Sequence, residues 1–269
     1  MAKGAHLIDS PWDVATKDCA FFLDFDGTLA DIAPQPDLVK VDPELVQILQ
    51  QLQKACDGAL AIISGRAIAT IDHYLQPLKA ATAGIHGAEF RFADGTLERA
   101  PVSQQDLARA KQLAQEFAGN HQGVLFEDKE ISFSLHFRQA PQFEGQVEAF
   151  MTELVPARLS SYELQRGKKV IEAKPQGCNK GEAIRRFMAQ PPFRGKQPVY
   201  AGDDVTDEDA FGVVNALRGL SVKIGEGETQ AQLRLQSPAA LQSWLQSLLT
   251  PGTATRPAKD NNTTGRVCS

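Results

Sequence analysis

Residues 20–28 read Ala-Phe-Phe-Leu-Asp-Phe-Asp-Gly-Thr, an apolar run that leads directly into two carboxylates. The run predicts a buried strand, and side chains at i and i+2, here Asp24 and Asp26, project from the same side of it. Aspartate is depleted in strands and costly to bury, so this pair requires a compensating cation or a chemical task. Gly27 lets the chain turn close to a ligand, and Thr28 offers a hydroxyl and a backbone N–H. An ordinary Asp-rich turn is the alternative for this stretch taken alone.

A second acidic stretch lies far downstream. Residues 198–201 predict another buried strand, which runs into Gly-Asp-Asp-Val-Thr-Asp-Glu-Asp at 202–209. The carboxylates of this stretch repel one another unless protons or a metal ion screen them. Mg²⁺ takes oxygen ligands, commonly one or two carboxylates and a phosphate oxygen. We therefore expect Asp203 and Asp207 to complete a Mg²⁺ site begun by the first pair of aspartates.

The same stretch also fits the start of a helix. With Thr206 as N-cap, Glu208 and Asp209 stand in the first turn, where carboxylates complement the helix macrodipole. This alternative accounts for Glu208 and Asp209 but leaves Asp203 and Asp204 unexplained.

Two smaller motifs supply groups that suit a phosphate. Residues 59–63 predict a third apolar strand, and it ends in Ser64-Gly65-Arg66, with a hydroxyl and backbone N–H groups at the strand tip. Lys180 stands in the first turn of an amphipathic helix, where it opposes the macrodipole and is better explained by a nearby cluster of anions. A plain strand-to-helix loop and a solvated surface lysine are the alternatives.

In this order the motifs resemble those of the haloacid dehalogenase superfamily of phosphatases. The matching residues are Asp24-x-Asp26-Gly27-Thr28, Ser64, Lys180 and Gly202-Asp203-x-x-x-Asp207. The resemblance implies that Asp24 is the nucleophile and becomes an acyl phosphate. It implies that Asp26 is first the general acid for the leaving sugar oxygen and then the base for water. Ser64 and Lys180 would hold phosphoryl oxygens.

The cofactor that the resemblance implies is Mg²⁺. Its ligands would be Asp24, the backbone carbonyl of Asp26, and Asp203, with Asp207 either alongside them or behind them as a support for the ligands. General chemistry agrees, because a carboxylate nucleophile divides phosphoester hydrolysis into two easier steps and charge neutralisation stabilises a loose transition state. No glycine-rich Walker pattern is present, which favours hydrolysis over nucleotide-driven transfer.

The remaining sequence is similar to the trehalose-6-phosphate phosphatase family from about residue 21 to about residue 249. The stretches that carry the similarity are 84–89, 127–129, 132–138, 170–175 and 177–181. The resemblance implies that Glu127, Lys129 and Glu172 hold sugar hydroxyls. Phe137 is a mild departure, because the family more often has tyrosine there. Further substrate contacts are expected from Thr28, Gly65, Arg66, His86 and Gly87.

Blander interpretations of the same residues stay open. Glu127 and Lys129 are same-face neighbours on a predicted strand and could form an ordinary ion pair. His86 lies between glycines after a strand, where it could bind substrate or be a satisfied structural group.

The order of predicted elements indicates an α/β fold, with a Rossmann-like core of parallel strands and an inserted α+β cap of the C2 type. We assign 1–102 and 175–249 to the core, 103–174 to the cap, and 250–269 to a disordered tail. The predicted strands are 20–25, 59–63, 80–84, 123–128, 131–138, 161–165, 168–173, 198–201 and 220–224, and a hairpin is predicted around Asp94-Gly95. The predicted helices lie near 43–56, 67–76, 103–118 and 143–154, from 179 onward, and at 238–249.

Composition sets limits on partners and compartment. The 269 residues have a formal net charge of −5 at pH 7, which offers no basic footprint for nucleic acid. No apolar run approaches the ~20 residues that span a bilayer, and no secretory leader pattern is visible. The four cysteines show no paired spacing, which is typical of a reducing cytoplasm. We expect a cytoplasmic monomer that takes a small-molecule sugar phosphate, without a nucleic-acid or membrane partner.

Together with the carboxylate motifs, the resemblance implies a Mg²⁺-dependent phosphatase of trehalose 6-phosphate that works through an aspartyl phosphate. The alternatives are another sugar phosphatase, for example of sucrose 6-phosphate or mannosyl-3-phosphoglycerate, and a phosphosugar mutase. A catalytically idle sugar-phosphate sensor on the same fold is the alternative from another functional class.

Overall fold

The structure is a computed structural model and describes residues 6–7, 15–33 and 38–250, with only the backbone described for the first pair. Its strands are β1 (His6–Leu7), β2 (Cys19–Leu23), β3 (Leu60–Ile63), β4 (Ala81–Gly84), β5 (Glu89–Arg91), β6 (Leu97–Arg99), β7 (Leu125–Asp128), β8 (Phe133–His136), β9 (Tyr162–Gly167), β10 (Val170–Pro175), β11 (Gln197–Gly202), β12 (Leu220–Ile224) and β13 (Leu233–Leu235). Its α-helices are α1 (Pro43–Ala55), α2 (Ile68–Leu75), α3 (Gln104–Gly119), α4 (Glu144–Arg158), α5 (Lys180–Met188), α6 (Glu208–Ala216) and α7 (Pro238–Leu249).

The larger sheet has the strand order β1-β13-β12-β11-β2-β3-β4-β5-β6 and is parallel except where β5 and β6 are added in antiparallel sense. Strand β2 lies at its centre, between β3 and β11. The chain leaves β2 toward β3 on one side and returns through β11 on the other. In open α/β sheets ligands bind outside the carboxyl ends of the strands at such a switch point.

The buried position of β2 follows from its composition. All five residues are buried, as expected for a parallel strand covered on both faces. The Phe22 ring centroid lies 5.4 Å from that of Phe193 and 6.1 Å from that of Phe187 in α5. This aromatic packing fixes α5 against the strand whose end carries Asp24.

The smaller sheet is antiparallel, in the order β7-β8-β10-β9, and lies between β6 and α5 in sequence. Alternate residues face opposite sides of such a sheet. Phe133, Leu135 and Ile171 pack with α3 and α4 in one apolar cluster. The opposite face carries polar side chains, which leaves it free to line a site. The predicted fold class, a parallel α/β core with an inserted α+β unit, is confirmed.

Three local features differ from the sequence-based predictions. The N-cap predicted at Thr206 is wrong: a 3-10 turn at Val205–Asp207 follows Asp204, whose backbone N–H donates to the Asp207 carboxylate at 2.8 Å, and α6 continues from it. Helix α4 runs past residue 154 to Arg158 even though it contains Pro156. Two short strands, β1 and β13, were not predicted.

The domain limits stay a prediction, although α3 begins just after residue 102 and β10 ends at Pro175. The predicted disordered tail falls outside the described residues from position 251 onward. Among the residues that the structure describes, no helix is long and apolar enough to cross a membrane.

Candidate active site

A buried lysine joins two aspartates at the carboxyl ends of β2 and β11. Lys180, from the first turn of α5, donates through Nζ to Asp24 Oδ1 at 2.7 Å and to Asp207 Oδ1 at 2.6 Å. Burial raises the pKa of Asp24 well above its usual value, and Lys180 opposes that effect. Burial disfavours the Lys180 ammonium, but the two aspartates outweigh it and raise its pKa. The lysine therefore stays charged beside the candidate nucleophile.

Asp207 is held by three protein donors. Besides Lys180, Tyr200 Oη donates to its Oδ1 at 2.5 Å, and the Asp204 backbone N–H donates to its Oδ2. Burial raises the pKa of Asp207, but Lys180 and the other hydrogen-bond donors outweigh burial, so the pKa lies below its usual value. Tyr200 was not a sequence-based candidate, because a tyrosine in an apolar strand looks like an ordinary core residue. Asp207 can orient Lys180 without releasing any of these bonds.

Asp24, Asp203 and Asp207 form a group that fits a divalent cation. One carboxylate oxygen from each lies within 4.8 Å of the others. Burial, followed by the charge of Asp207, raises the pKa of Asp203 to about 6. Carboxylates held this close and partly desolvated are stabilised by a hard cation, which favours their charged form. The side chain of Asp26 is not a member of this group.

Gly27 allows Asp203 to approach the tip of β2. Its φ is +79°, and a Cβ at this position would lie 2.3 Å from Asp203 Oδ2. Only glycine meets both conditions without displacing the carboxylate.

We expect Gly27→Ala to lower activity strongly and to cost about 1–3 kcal/mol of unfolding free energy. The alanine takes a strained φ and drives Asp203 from the carboxylate group. Gly58→Ala is the matched control, because Gly58 has φ +82° and its nearest neighbour to an added Cβ, in Pro192, is 3.7 Å away. Denaturant unfolding should show a similar loss of unfolding free energy for both variants. Phosphate-release kinetics should show a loss of activity for Gly27→Ala alone. Equal activity of the two variants would contradict the role of Gly27.

Asp26 is paired with Arg66. The guanidinium donates from Nε to Asp26 Oδ2 and from Nη2 to Oδ1, both at 2.7 Å. Its Cζ lies 5.6 Å from the Phe25 ring centroid and 5.4 Å from that of Tyr74. This bidentate fork fixes the orientation of the Asp26 carboxylate.

The remaining core residues contribute in different ways. Ser64 is buried at the tip of β3, and its Oγ accepts the Arg66 backbone N–H at 3.1 Å. Thr28 Oγ1 donates to Asp24 Oδ2 at 3.3 Å and so supports the aspartate from behind. A Cβ on Gly65 would lie 2.6 Å from His86 Nε2, which explains a glycine there. Gly87 lies against the turn before α5, where a Cβ would come within 3.3 Å of the Asn179 carbonyl oxygen.

The polar face of the antiparallel sheet holds a charged network. Lys129 Nζ lies 2.7 Å from Glu172 Oε2 and 3.8 Å from Glu127 Oε2. His136 Nε2 lies 2.7 Å from Glu127 Oε2, and Ser132 Oγ donates to Glu172 Oε1 at 2.9 Å. Burial raises the pKa of Glu172, but Lys129 foremost lowers it well below the usual range. Glu127 and Lys129 thus do form an ion pair, as the structural alternative expected, but Lys129 lies closer to Glu172 than to Glu127.

His86 links the two sheets. Its Nε2 lies 3.5 Å from Glu172 Oε2, and burial lowers its pKa despite that carboxylate. Ile85 and His86 both have positive φ, 50° and 55°, an unusual conformation for side-chain-bearing residues and most of all for a β-branched one. Strain of this kind is commonly held at ligand sites.

A cavity of about 220 Å³ lies between the core carboxylates and this polar face. It brings together most of the residues expected from sequence: Asp24, Asp26, Ser64, Gly65, Arg66, His86, Glu127, Lys129, Glu172, Lys180 and Asp203. Thr28, Gly87 and Asp207 do not line it. Sequence reasoning missed other lining residues, which include Ile32, Leu125, His136, Arg138, Gln165 and Lys168. His136 had a usable signal, because Ser132, Ser134 and His136 alternate with apolar residues and so share one face.

The chain is similar to known phosphatases in sequence and in fold. Residues 22–239 match the family model described as trehalose-phosphatase. The chain is 42% identical over 245 residues to the trehalose-6-phosphate phosphatase of Escherichia coli K12, covering 90% of each protein. It is 41% identical over 206 residues to a probable trehalose-phosphate phosphatase of Sinorhizobium fredii, covering 77% of each. Its fold is similar to the C-terminal domain of a Candida albicans trehalose-6-phosphate phosphatase, with a TM-score of 0.76, 22% identity, and coverage of 87% and 93%.

Proposed function

Because this chain belongs to the trehalose-phosphatase family, we propose that it is a Mg²⁺-dependent phosphoric monoester hydrolase that converts trehalose 6-phosphate to trehalose and phosphate. The observation that carries this proposal is the shared cavity. Asp24 and Lys180 lie at its core side, while Glu127, Lys129 and Glu172 face it from the antiparallel sheet. One end can therefore perform phosphoryl chemistry while the other binds a polyhydroxylated group.

In the first step an Asp24 carboxylate oxygen attacks phosphorus. The new O–P bond forms as the bond between phosphorus and the sugar oxygen breaks, and Asp26 gives its proton to that oxygen. In the second step Asp26 takes a proton from water, the water oxygen attacks phosphorus, and Asp24 is released. The reaction consumes one water and yields inorganic phosphate.

The surrounding groups neutralise and orient the charge. Lys180 already bridges Asp24 and Asp207, so its ammonium is fixed without reorganisation at the moment of reaction. Ser64 offers a hydroxyl to a phosphoryl oxygen. Mg²⁺, held by Asp24, Asp203 and the Asp26 carbonyl with Asp207 behind them, would supply further neutralisation of the phosphoryl charge.

On the other side of the cavity we assign sugar recognition to Glu127, Lys129 and Glu172. Buried charged groups that lose water must find partners, so a sugar that satisfies them is favoured over one that does not. Substrate contacts are also assigned to Gly65, Arg66 and His86, which line the cavity, whereas Thr28 and Gly87 contribute indirectly. Thr28 acts through Asp24, and Gly87 by shaping the turn that carries His86.

We further propose that the protein works as a cytoplasmic monomer. The free thiols of Cys56 and Cys178 support a reducing compartment. The net charge of −5 supports a small-molecule substrate rather than nucleic acid.

A panel of sugar phosphates tests the function directly. Phosphate release should be fastest with trehalose 6-phosphate and slower with sucrose 6-phosphate and mannosyl-3-phosphoglycerate. A preference for either of the latter two would change the assigned substrate but not the assigned reaction. Isomerised sugar phosphate without phosphate release would indicate a mutase, and binding without turnover would indicate a sensor.

Substitutions on the polar face should separate recognition from chemistry. We expect Lys129→Met and Glu172→Gln each to lower kcat/KM for trehalose 6-phosphate by about 10- to 100-fold, since each removes a charged hydrogen bond of ~1.5–3 kcal/mol. Activity on p-nitrophenyl phosphate should be largely kept, because that substrate has no sugar to contact these groups.

Glu148→Gln is the matched control for this experiment. Glu148 pairs with Arg166 on the exposed side of α4, away from the cavity. Loss of the Glu148 charge should leave the activity on both substrates unchanged. An equal fall on both substrates for the Lys129 and Glu172 variants would assign them a structural role, and unchanged kcat/KM for trehalose 6-phosphate would refute the assigned recognition site.

A further inference from the structure

Lys168 reaches from the antiparallel sheet to the acidic loop of the core. It lies in the turn between β9 and β10, and its Nζ is 3.7 Å from Asp203 Oδ2 and 3.6 Å from Asp204 Oδ1. It also lines the cavity. The next residue, Lys169, pairs instead with Glu144 Oε2 at 2.7 Å. Two adjacent lysines of one turn thus have different partners, one across the cavity and one within the inserted unit.

The charges of Asp203 and Asp204 have few other partners. Among the described residues, Lys168 is the only cation that forms an ion pair with either carboxylate. Lys223 donates to the Asp203 backbone carbonyl rather than to its side chain. The side chain of Asp203 is 10% exposed, so its charge is poorly screened by water. An ammonium group placed there by the inserted unit favours the arrangement in which that unit covers the core.

We propose that Lys168 is the residue that holds the β9–β10 turn closed over the acidic loop, and that a divalent cation competes with it for Asp203. This proposal rests on the function proposed above and adds a positioning residue to the same site. When Asp203 binds a metal ion, the pair with Asp204 remains and continues to favour the covered state. Loading of the metal and closure over the substrate are then linked through one side chain.

The size of the effect follows from exposure. Lys168 is 58% exposed, and ion pairs of such groups alter equilibria by about two- to fivefold. Removing the ammonium should therefore strengthen Mg²⁺ binding and weaken closure by factors in this range.

The first test uses no substrate. Chelator-treated protein is titrated with MgCl₂ in a calorimeter at low ionic strength. We expect Lys168→Gln to bind Mg²⁺ about two- to fivefold more tightly than wild type, while Lys169→Gln, the matched control, is unchanged and Lys168→Arg resembles wild type. Unchanged or weaker Mg²⁺ binding by Lys168→Gln would overturn the competition.

The second test examines closure at saturating Mg²⁺. Lys168→Gln should raise KM for trehalose 6-phosphate about two- to fivefold with a smaller change in kcat, and should leave p-nitrophenyl phosphate unaffected. In a double-mutant cycle, Asp204→Asn should give the same rise in KM and add nothing to Lys168→Gln. Fully additive effects of the two substitutions on KM would show that Lys168 and Asp204 do not act as a pair. Absence of trehalose 6-phosphate turnover by wild type would overturn the proposed function alone, since the calorimetric result would still stand.

Discussion

Asp24→Asn is expected to lower kcat for trehalose 6-phosphate by about 10⁴-fold or more while the chain remains folded. An amide oxygen is a poor nucleophile and a weaker ligand for a hard cation than a carboxylate. Folding should be kept because Lys180 retains its 2.6 Å bond to Asp207. Burial raises the pKa of Asp24, which shows that its charge is costly in this position, and the neutral amide removes that cost.

Steady-state phosphate release and thermal unfolding check this expectation together. Asp18→Asn, an exposed aspartate immediately before β2, is the control and should resemble wild type in both measurements. Asp26→Ala should also be severe, but it leaves the nucleophile, so intact mass should detect phosphorylated protein in that variant and none in Asp24→Asn. Turnover by Asp24→Asn near the wild-type rate would exclude the covalent route.

The central strands could be predicted from sequence because their signals are local. β2, β3 and β11 each appear as an apolar run that ends in polar residues, and the parallel order places those ends at one edge. Short strands such as β13 carry too few residues for a pattern. Asp204 caps the 3-10 turn that precedes α6, and Asp207 occupies the N-cap position of α6 itself, whereas capping patterns assume a single continuous helix.

The site was predictable where residue chemistry alone identifies the task. Two aspartates at a strand tip, or a lysine in a first helical turn, are unusual enough to require an explanation. The fork between Arg66 and Asp26, and the approach of Lys168 to Asp203, depend instead on how separate elements meet in space. No spacing in the chain encodes those distances, so the pairing of Arg66 with Asp26 and the position of Lys168 were not predicted.

Removal of divalent cations should lower activity by about 10³-fold or more, and Mg²⁺ should restore it. The reason is the group of Asp24, Asp203 and Asp207, whose oxygens lie within 4.8 Å of one another around a site that must also accept a phosphoryl group. Without a cation these carboxylates repel an anionic substrate, and Lys180 is the one ammonium among the described residues that bonds to two of them.

Asp203→Asn should raise the Mg²⁺ concentration needed for half-maximal activity by about 10-fold or more, or abolish activity, since it replaces a charged ligand with a neutral one. Asp209→Asn is the matched control, because Asp209 belongs to the same acidic stretch but is exposed in the first turn of α6. Calorimetric titration with MgCl₂ separates the two: binding should weaken for the Asp203 variant and stay at the wild-type value for the Asp209 variant. Full activity after exhaustive chelation, or equal Mg²⁺ affinity of both variants, would show that the carboxylate group repels charge without binding metal and that Lys180 alone neutralises the phosphoryl group.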